Sequence, residues 1–192
     1  PSYRQQSSIP SPTKLVLYAP TWQQDDRGRE LFPFNESQDS FIKYLNDICS
    51  GTDAILVIRS HLNARISKKH LNNVLYCSMK DFPDTESLLQ ETDVLICDWS
   101  SIAFDYLALR RSAIFLDVPP PFTNGLSLGK EYRFGEVVGD MTSLGKALNL
   151  ALTDPTGFMA GKEQAYRQVI DEVYGESIHG HAAGEQLDRL CG

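Results

Sequence analysis

The chain is 192 residues long, 42% hydrophobic and 22% charged, with 13 glycines and 10 prolines. That composition gives one domain with a proper core and excludes intrinsic disorder and a fibrous repeat. Lys and Arg number 18 against 25 Asp and Glu, a formal net charge of −7, which argues against a broad electrostatic grip on nucleic acid; an anionic ligand must be held locally. The longest wholly aliphatic run, Ala54 to Ile58, is far short of the roughly 20 apolar residues of a membrane-spanning helix. No signal-peptide pattern opens the sequence. Cys49, Cys77, Cys97 and Cys191 include no Cys-x-x-Cys pair, which points to a reducing, cytoplasmic setting.

Residues 1–13 are polar and proline-punctuated and read as an interdomain leader, so that the chain is expected to be one part of something larger. Residues 14–192 read as a single domain. Leu15 to Ala19, Ile55 to Arg59, Val74 to Cys77, Val94 to Cys97, Ala113 to Asp117 and Glu136 to Val138 are predicted strands. Most are near-continuous apolar runs, the pattern of strands buried on both faces of a parallel sheet. Helical period fills the gaps: about Gln38 to Cys49 behind a Ser37 cap, Thr85 to Glu91, a helix starting at Ser100 or Ser101, and about Thr142 to Leu152. The tail from Lys162 carries two more helical stretches broken near Gly175. Strands alternating with helices predict a doubly wound α/β domain, a mostly parallel sheet of about six strands whose ligands sit beyond the carboxyl ends of the strands.

The residues after those strand ends are polar and specific. The first strand runs into Pro20-Thr21, where a hydroxyl can face a ligand, and then into a long polar loop. The second ends in Arg59-Ser60-His61: a guanidinium can fork onto phosphate, and an imidazole can act as acid or base. His70, His179 and His181 have weaker claims, and the spacing of the last two does not suit a helical metal pair. The fourth strand ends in Asp98-Trp99-Ser100-Ser101, with a helix starting at the serines, so hydroxyls and free amides converge as in an anion site; a plain serine cap is equally compatible. Neither a Gly-x-Gly-x-x-Gly nor a Walker loop is present, which excludes the common NTPase and dehydrogenase classes. Lys130 and Arg133, before the sixth strand, could each neutralise phosphate, although solvated loop charges need no such role.

These motifs, Leu17-Tyr18-Ala19-Pro20-Thr21-Trp22, Arg59-Ser60-His61, and Asp93 to Ser101 followed by Phe104-Asp105-Tyr106, resemble the CDP-glycerol glycerophosphotransferase family of teichoic acid and capsule enzymes. The resemblance covers roughly Lys14 to Pro155 and implies the C-terminal, nucleotide-binding half of a GT-B fold. It implies a catalytic or phosphate-contacting role for His61, with Arg59 as its basic neighbour. By the same resemblance Asp98, Ser100 and Ser101 hold the donor pyrophosphate, and Asp105 matches an acidic residue one helical turn on. Three positions depart from the family pattern: Leu62 stands where proline is usual, Trp99 where tyrosine is commoner, and Arg133-Phe134-Gly135 only loosely echoes an Arg-Gly-aromatic stretch.

The implied reaction is attack of an acceptor hydroxyl on the β-phosphorus of a CDP-activated donor, CDP-glycerol or a relative, with CMP leaving. His61 and Asp98 are the expected catalytic residues. Thr21, Arg59, Ser100, Ser101, Asp105 and Arg133 are the expected donor contacts, and neither a metal nor a resident cofactor is implied. The acceptor would be a polymer or a lipid-linked species, met through an N-terminal GT-B domain outside this chain, at the inner face of the cell membrane. Two alternatives are a nucleotide-sugar glycosyltransferase or UDP-sugar epimerase-like domain, and a non-catalytic nucleotide-binding module.

Overall fold

The computed structural model describes residues 2–21, 32–60, 70–120 and 129–175. It contains a six-stranded sheet built from β1 (Lys14–Ala19), β2 (Ala54–Ser60), β3 (Val74–Ser78), β4 (Val94–Cys97), β5 (Ser112–Leu116) and β6 (Glu136–Val138). The strand order is β3-β2-β1-β4-β5-β6, and every pairing is parallel. The chain thus winds outward from β1 in one direction and, after crossing to β4, in the other. That reversal leaves a crevice at the carboxyl ends of β1 and β4, where ligands of such sheets bind.

Both faces of the sheet are covered. Alternation along β1 sends Val16 and Tyr18 into one core with Phe41, Leu45, Leu148 and Phe158, and sends Leu15, Leu17 and Ala19 into the other with Leu88, Tyr106, Phe134 and Tyr166. The first core lies under α2 (Gln38–Gly51), α5 (Met141–Thr153) and α6 (Pro155–Met159); the second lies under α1 (Tyr3–Gln6), α3 (Thr85–Glu91), α4 (Ile102–Leu107) and α7 (Glu163–Val173). Helix starts are set by short polar caps: Ser37 accepts from Ser40 N at 3.1 Å, Asp84 from Ser87 N at 3.0 Å, and Asp140 from Ser143 N at 2.7 Å.

Three local features differ from the sequence-based expectation. Residues 2–13, expected as a loose leader, hold α1 with a Ser2–Gln5 capping box. Tyr3 is buried edge-on against Phe82 at 5.1 Å, and Arg4 bonds Thr13 O, Glu91 O and Asp93. The polar composition that suggested a linker serves instead as caps and ion pairs around one buried ring. The helix after Ser101 ends at Leu107, earlier than its apolar pattern suggested, because Arg110 turns into the left-handed region (φ 52°) to enter β5. The extra α6 starts on Pro155, with Asp154 capping Gly157 N. Cys49, Cys77 and Cys97 are free and buried, and burial raises each thiol pKa. Among the described residues no helix is long and apolar enough to cross a membrane.

Candidate functional site

At the β1/β4 crevice, Asp98 follows β4 and is buried. One carboxylate oxygen, Oδ1, accepts from Thr21 N at 2.8 Å, from the Thr21 hydroxyl and from Trp99 N at 2.6 Å. The aspartate ties together the two strand ends that flank the switch point, and the Thr21 hydroxyl, expected to face a ligand, is bonded to Asp98. Their mutual bonds make them a rigid floor. Trp99 is fixed in turn, donating its indole N–H to Val118 O at 2.9 Å.

Arg133 completes this corner. Its guanidinium lies 4.5 Å from the centre of the Trp99 ring, and Nη1 donates to Asp117 Oδ1 at 3.1 Å. Lys130 Nζ reaches the same oxygen at 2.6 Å. The Lys130 ammonium foremost, with Arg133, holds the Asp117 carboxyl below its ordinary pKa. The Arg133 side chain is only 4% exposed, and its Nη2 is sealed from solvent with no hydrogen-bond partner among the described residues. An orphaned charged donor costs on the order of 1–3 kcal/mol, so natural structures seldom keep one without a reason.

The backbone that aims Arg133 is tightly constrained. Phe134 is fully buried, edge-on to Phe115 at 5.1 Å and to Tyr166 at 4.6 Å. Gly135 lies so close to β5 that any Cβ there would run into the Ala113 carbonyl oxygen. The loose motif Arg133-Phe134-Gly135 is therefore a built unit: an anchor ring, a glycine for close approach and a presented cation. By its sequence alone Arg133 reads equally well as a solvated loop charge, and only the aromatic-glycine pair beside it signals otherwise.

Asp98, Trp99, Ser100, Phe104, Tyr132 and Arg133 line a cavity of about 30 Å³. That is room for one or two water-sized oxygens and too little for a nucleoside. Ser100 is half-buried on its wall, while Ser101 is exposed at the start of the six-residue α4 and makes no side-chain cap bond. The expected serine cap is thus absent, and the Ser101 hydroxyl is not engaged in capping.

Two expected donor contacts lie elsewhere. Arg59 is buried and reaches sideways under β3: Nη1 donates to Phe82 O at 2.9 Å and contacts Cys77 Sγ at 3.4 Å, and Nη2 donates to the Thr85 hydroxyl at 2.7 Å. It ties the end of β2 to the start of α3 and is not a phosphate fork in this structure. The period-2 alternation of β2 explains this, because Arg59 shares the inward face of Val57. Asp105 sits in a groove between α3 and α4 with Glu86, Gln90 and Tyr174; burial, and then Glu86, raises its pKa. It is one residue past Phe104 and therefore off the cavity wall. His61, together with the loop after Trp22, lies outside the described residues, as do His179 and His181. Among the described residues no group of three or more His, Cys, Asp or Glu side chains could hold a metal.

Comparison with known proteins matches residues 2–119 to the family model for CDP-glycerol:poly(glycerophosphate) glycerophosphotransferase. A teichoic acid poly(glycerol phosphate) polymerase of Staphylococcus epidermidis is 32% identical over 114 residues, covering 56% of this chain and 15% of that protein. A teichoic acid glycerol-phosphate transferase of Staphylococcus aureus is 30% identical over 109 residues, covering 56% of this chain and 27% of the relative. The chain therefore spans only a minor part of the relatives it matches. In three dimensions it resembles the wall teichoic acid polymerase TagF with a TM-score of 0.64 at 20% identity, covering 95% of this chain and 47% of TagF. Spinosyn forosaminyltransferase SpnP shares the fold with a TM-score of 0.56 at 14% identity, covering 97% of this chain and 46% of SpnP. The doubly wound α/β fold is thus shared with half of each.

Proposed function

Because the chain belongs to the CDP-glycerol:poly(glycerophosphate) glycerophosphotransferase family, we propose that it is the donor-binding half of a transferase that moves glycerol phosphate, or a similar alcohol phosphate, from a CDP-activated donor to a cell-surface polymer. The observation that carries this reading is the orphaned Nη2 of Arg133, sealed beside a cavity sized for an oxygen at the carboxyl ends of β4 and β5, next to the switch point of the sheet. A phosphoryl oxygen entering that socket would accept from Nη2 and from the Ser100 hydroxyl, meeting a cation that is already placed.

In this reading the pyrophosphate of the donor lies across Ser100, Ser101 and Arg133. The Asp98–Thr21 tie keeps the two sides of the crevice from drifting. The acceptor hydroxyl attacks the β-phosphorus, the new O–P bond forms as the bond to the CMP oxygen breaks, and charge building on the departing CMP is met by donors fixed beforehand. His61, which follows β2 in the sequence, takes the acceptor proton or supports the charge. Arg59 acts only by holding that strand end in place. The acceptor and the remaining catalytic groups belong to a second domain, and the isolated chain is expected to bind donor without turning it over.

Titration calorimetry of the chain with CMP, CDP and CDP-glycerol tests the reading. The expected order is CDP and CDP-glycerol tighter than CMP, with a Ser100→Ala/Ser101→Ala variant weakened. Absence of binding at millimolar ligand would overturn it, and a preference for UDP over CDP would reassign the domain to nucleotide-sugar transfer.

A further inference from the structure

A second cleft lies at the opposite end of the sheet. It has a volume of about 450 Å³ and opens between the turn that precedes β5 and helices α6 and α7. Arg110, immediately before β5, stands on one wall and Arg167, on α7, on the other; both are exposed. Among the described residues neither guanidinium meets a carboxylate within 4.0 Å, although Glu163 lines the same cleft. The other described arginines are engaged: Arg4 with Asp93, Arg59 with Phe82 O, Arg111 with Gln90 O and Thr92 O, and Arg133 with Asp117. Two cations without an ion pair, set against the one Glu163 carboxylate in the same concavity, leave the cleft net positive in a chain of net charge −7.

The lining narrows what it takes. Met159 is half-buried, and Tyr166 is 2% exposed with its hydroxyl already donated to Arg111 O, so no aromatic face is offered for a base to stack on. The exposed Thr156 hydroxyl and Glu163 carboxylate line the cleft with the two cations. Two guanidiniums, a hydroxyl and the apolar Pro155 and Met159 in one cleft suit a flexible ligand that carries more than one phosphodiester on a hydroxyl-bearing aliphatic chain. We infer that this cleft binds a segment of polyol phosphate polymer, which rests on the proposed function for the identity of that polymer. The cleft and the donor cavity lie at opposite ends of β5, a strand of five residues, and so about 17 Å apart along it. A polymer held at the cleft is kept at high effective concentration near the donor edge, which favours repeated additions over release.

The test is binding of a short synthetic poly(glycerol phosphate) to the chain, followed by calorimetry and amide chemical shifts, with glycerol 3-phosphate and anionic phospholipid vesicles as separate arms. The double variant Arg110→Asn/Arg167→Gln keeps a residue that tolerates the left-handed turn at position 110 and removes both cations. We expect the polymer to bind more tightly than the monomer and the double variant to lose at least ~10-fold in polymer affinity while its CDP affinity is unchanged. In Arg133→Gln the pattern reverses, with CDP affinity lost and polymer affinity kept; a parent chain that binds polymer but not CDP would sink the proposed function and leave this site standing. The inference is overturned by equal affinity for polymer and monomer, by vesicle binding without polymer binding, or by a double variant that folds and binds polymer as the parent does.

Discussion

Two arginines that look alike in the sequence do opposite work. The side chains of Arg59 and Arg133 are both buried beside the ends of strands, yet among the described residues Arg59 hydrogen-bonds only neutral groups, while Arg133 has an ion pair, a stacked indole and one nitrogen left over. The contrast teaches that a cation at a strand end is no evidence of a ligand until its hydrogen bonds are counted. A satisfied fork ties loops together, whereas an unsatisfied one next to a cavity awaits an acceptor.

The comparison can be broken most sharply at Arg59. Arg59→Leu strands the Phe82 carbonyl and the Thr85 hydroxyl in a buried corner and should destabilise the chain by about 3 kcal/mol in urea unfolding, with donor affinity of the folded fraction unchanged. A variant as stable as the parent would dissolve the distinction. Next comes Gly135→Ala, whose methyl must push β5 and the Arg133 segment apart. A loss of about 2 kcal/mol is expected, together with weaker CDP binding, and unchanged binding would show that Arg133 is not held by this close approach.

Arg133→Gln should reduce CDP affinity about 10-fold, about 1.4 kcal/mol, while shifting the unfolding free energy by less than ~0.5 kcal/mol because the orphaned donor is removed along with the ion pair. The smallest effect is in acid. Lys130 first and Arg133 second hold Asp117 below its ordinary pKa, so its contribution is fully present above the unfolded carboxylate value near about pH 4 and fades as pH falls through the lowered folded value. Asp117→Asn should therefore melt below the parent at neutral pH, and the gap in melting temperature should close under acid conditions in scanning calorimetry. A gap that widened in acid would show that the Arg133 corner does not depend on this carboxylate.

Much of the fold was legible because both-face burial writes itself into sequence. Residues 94–97 and 136–138 form strands at the expected bounds, β1 and β3 differ from them by one residue at one end, and β2 and β5 by one residue at each end, since near-continuous apolar runs of that length suit a covered parallel strand. Asp98 with Thr21 was legible for a related reason: β1 and β4 had to end at the same edge. Residues 2–13 were misread because a polar stretch with one buried tyrosine has too little apolar signal to mark a packed helix, and the match of that tyrosine to Phe82 is a long-range fact.

The alternation of strand and helix, the cap at Ser37, the family motifs and the shortage of positive charge could be read from the sequence, because each is carried by neighbours along the chain. Only the tertiary structure decided which cations are free. Whether Arg59 meets a carbonyl, Arg133 an indole and a cavity, or Arg110 and Arg167 a shared cleft depends on partners brought in from distant strands and helices. Hydrogen bonds are short and directional, so their bookkeeping is settled by where the backbone comes together in space.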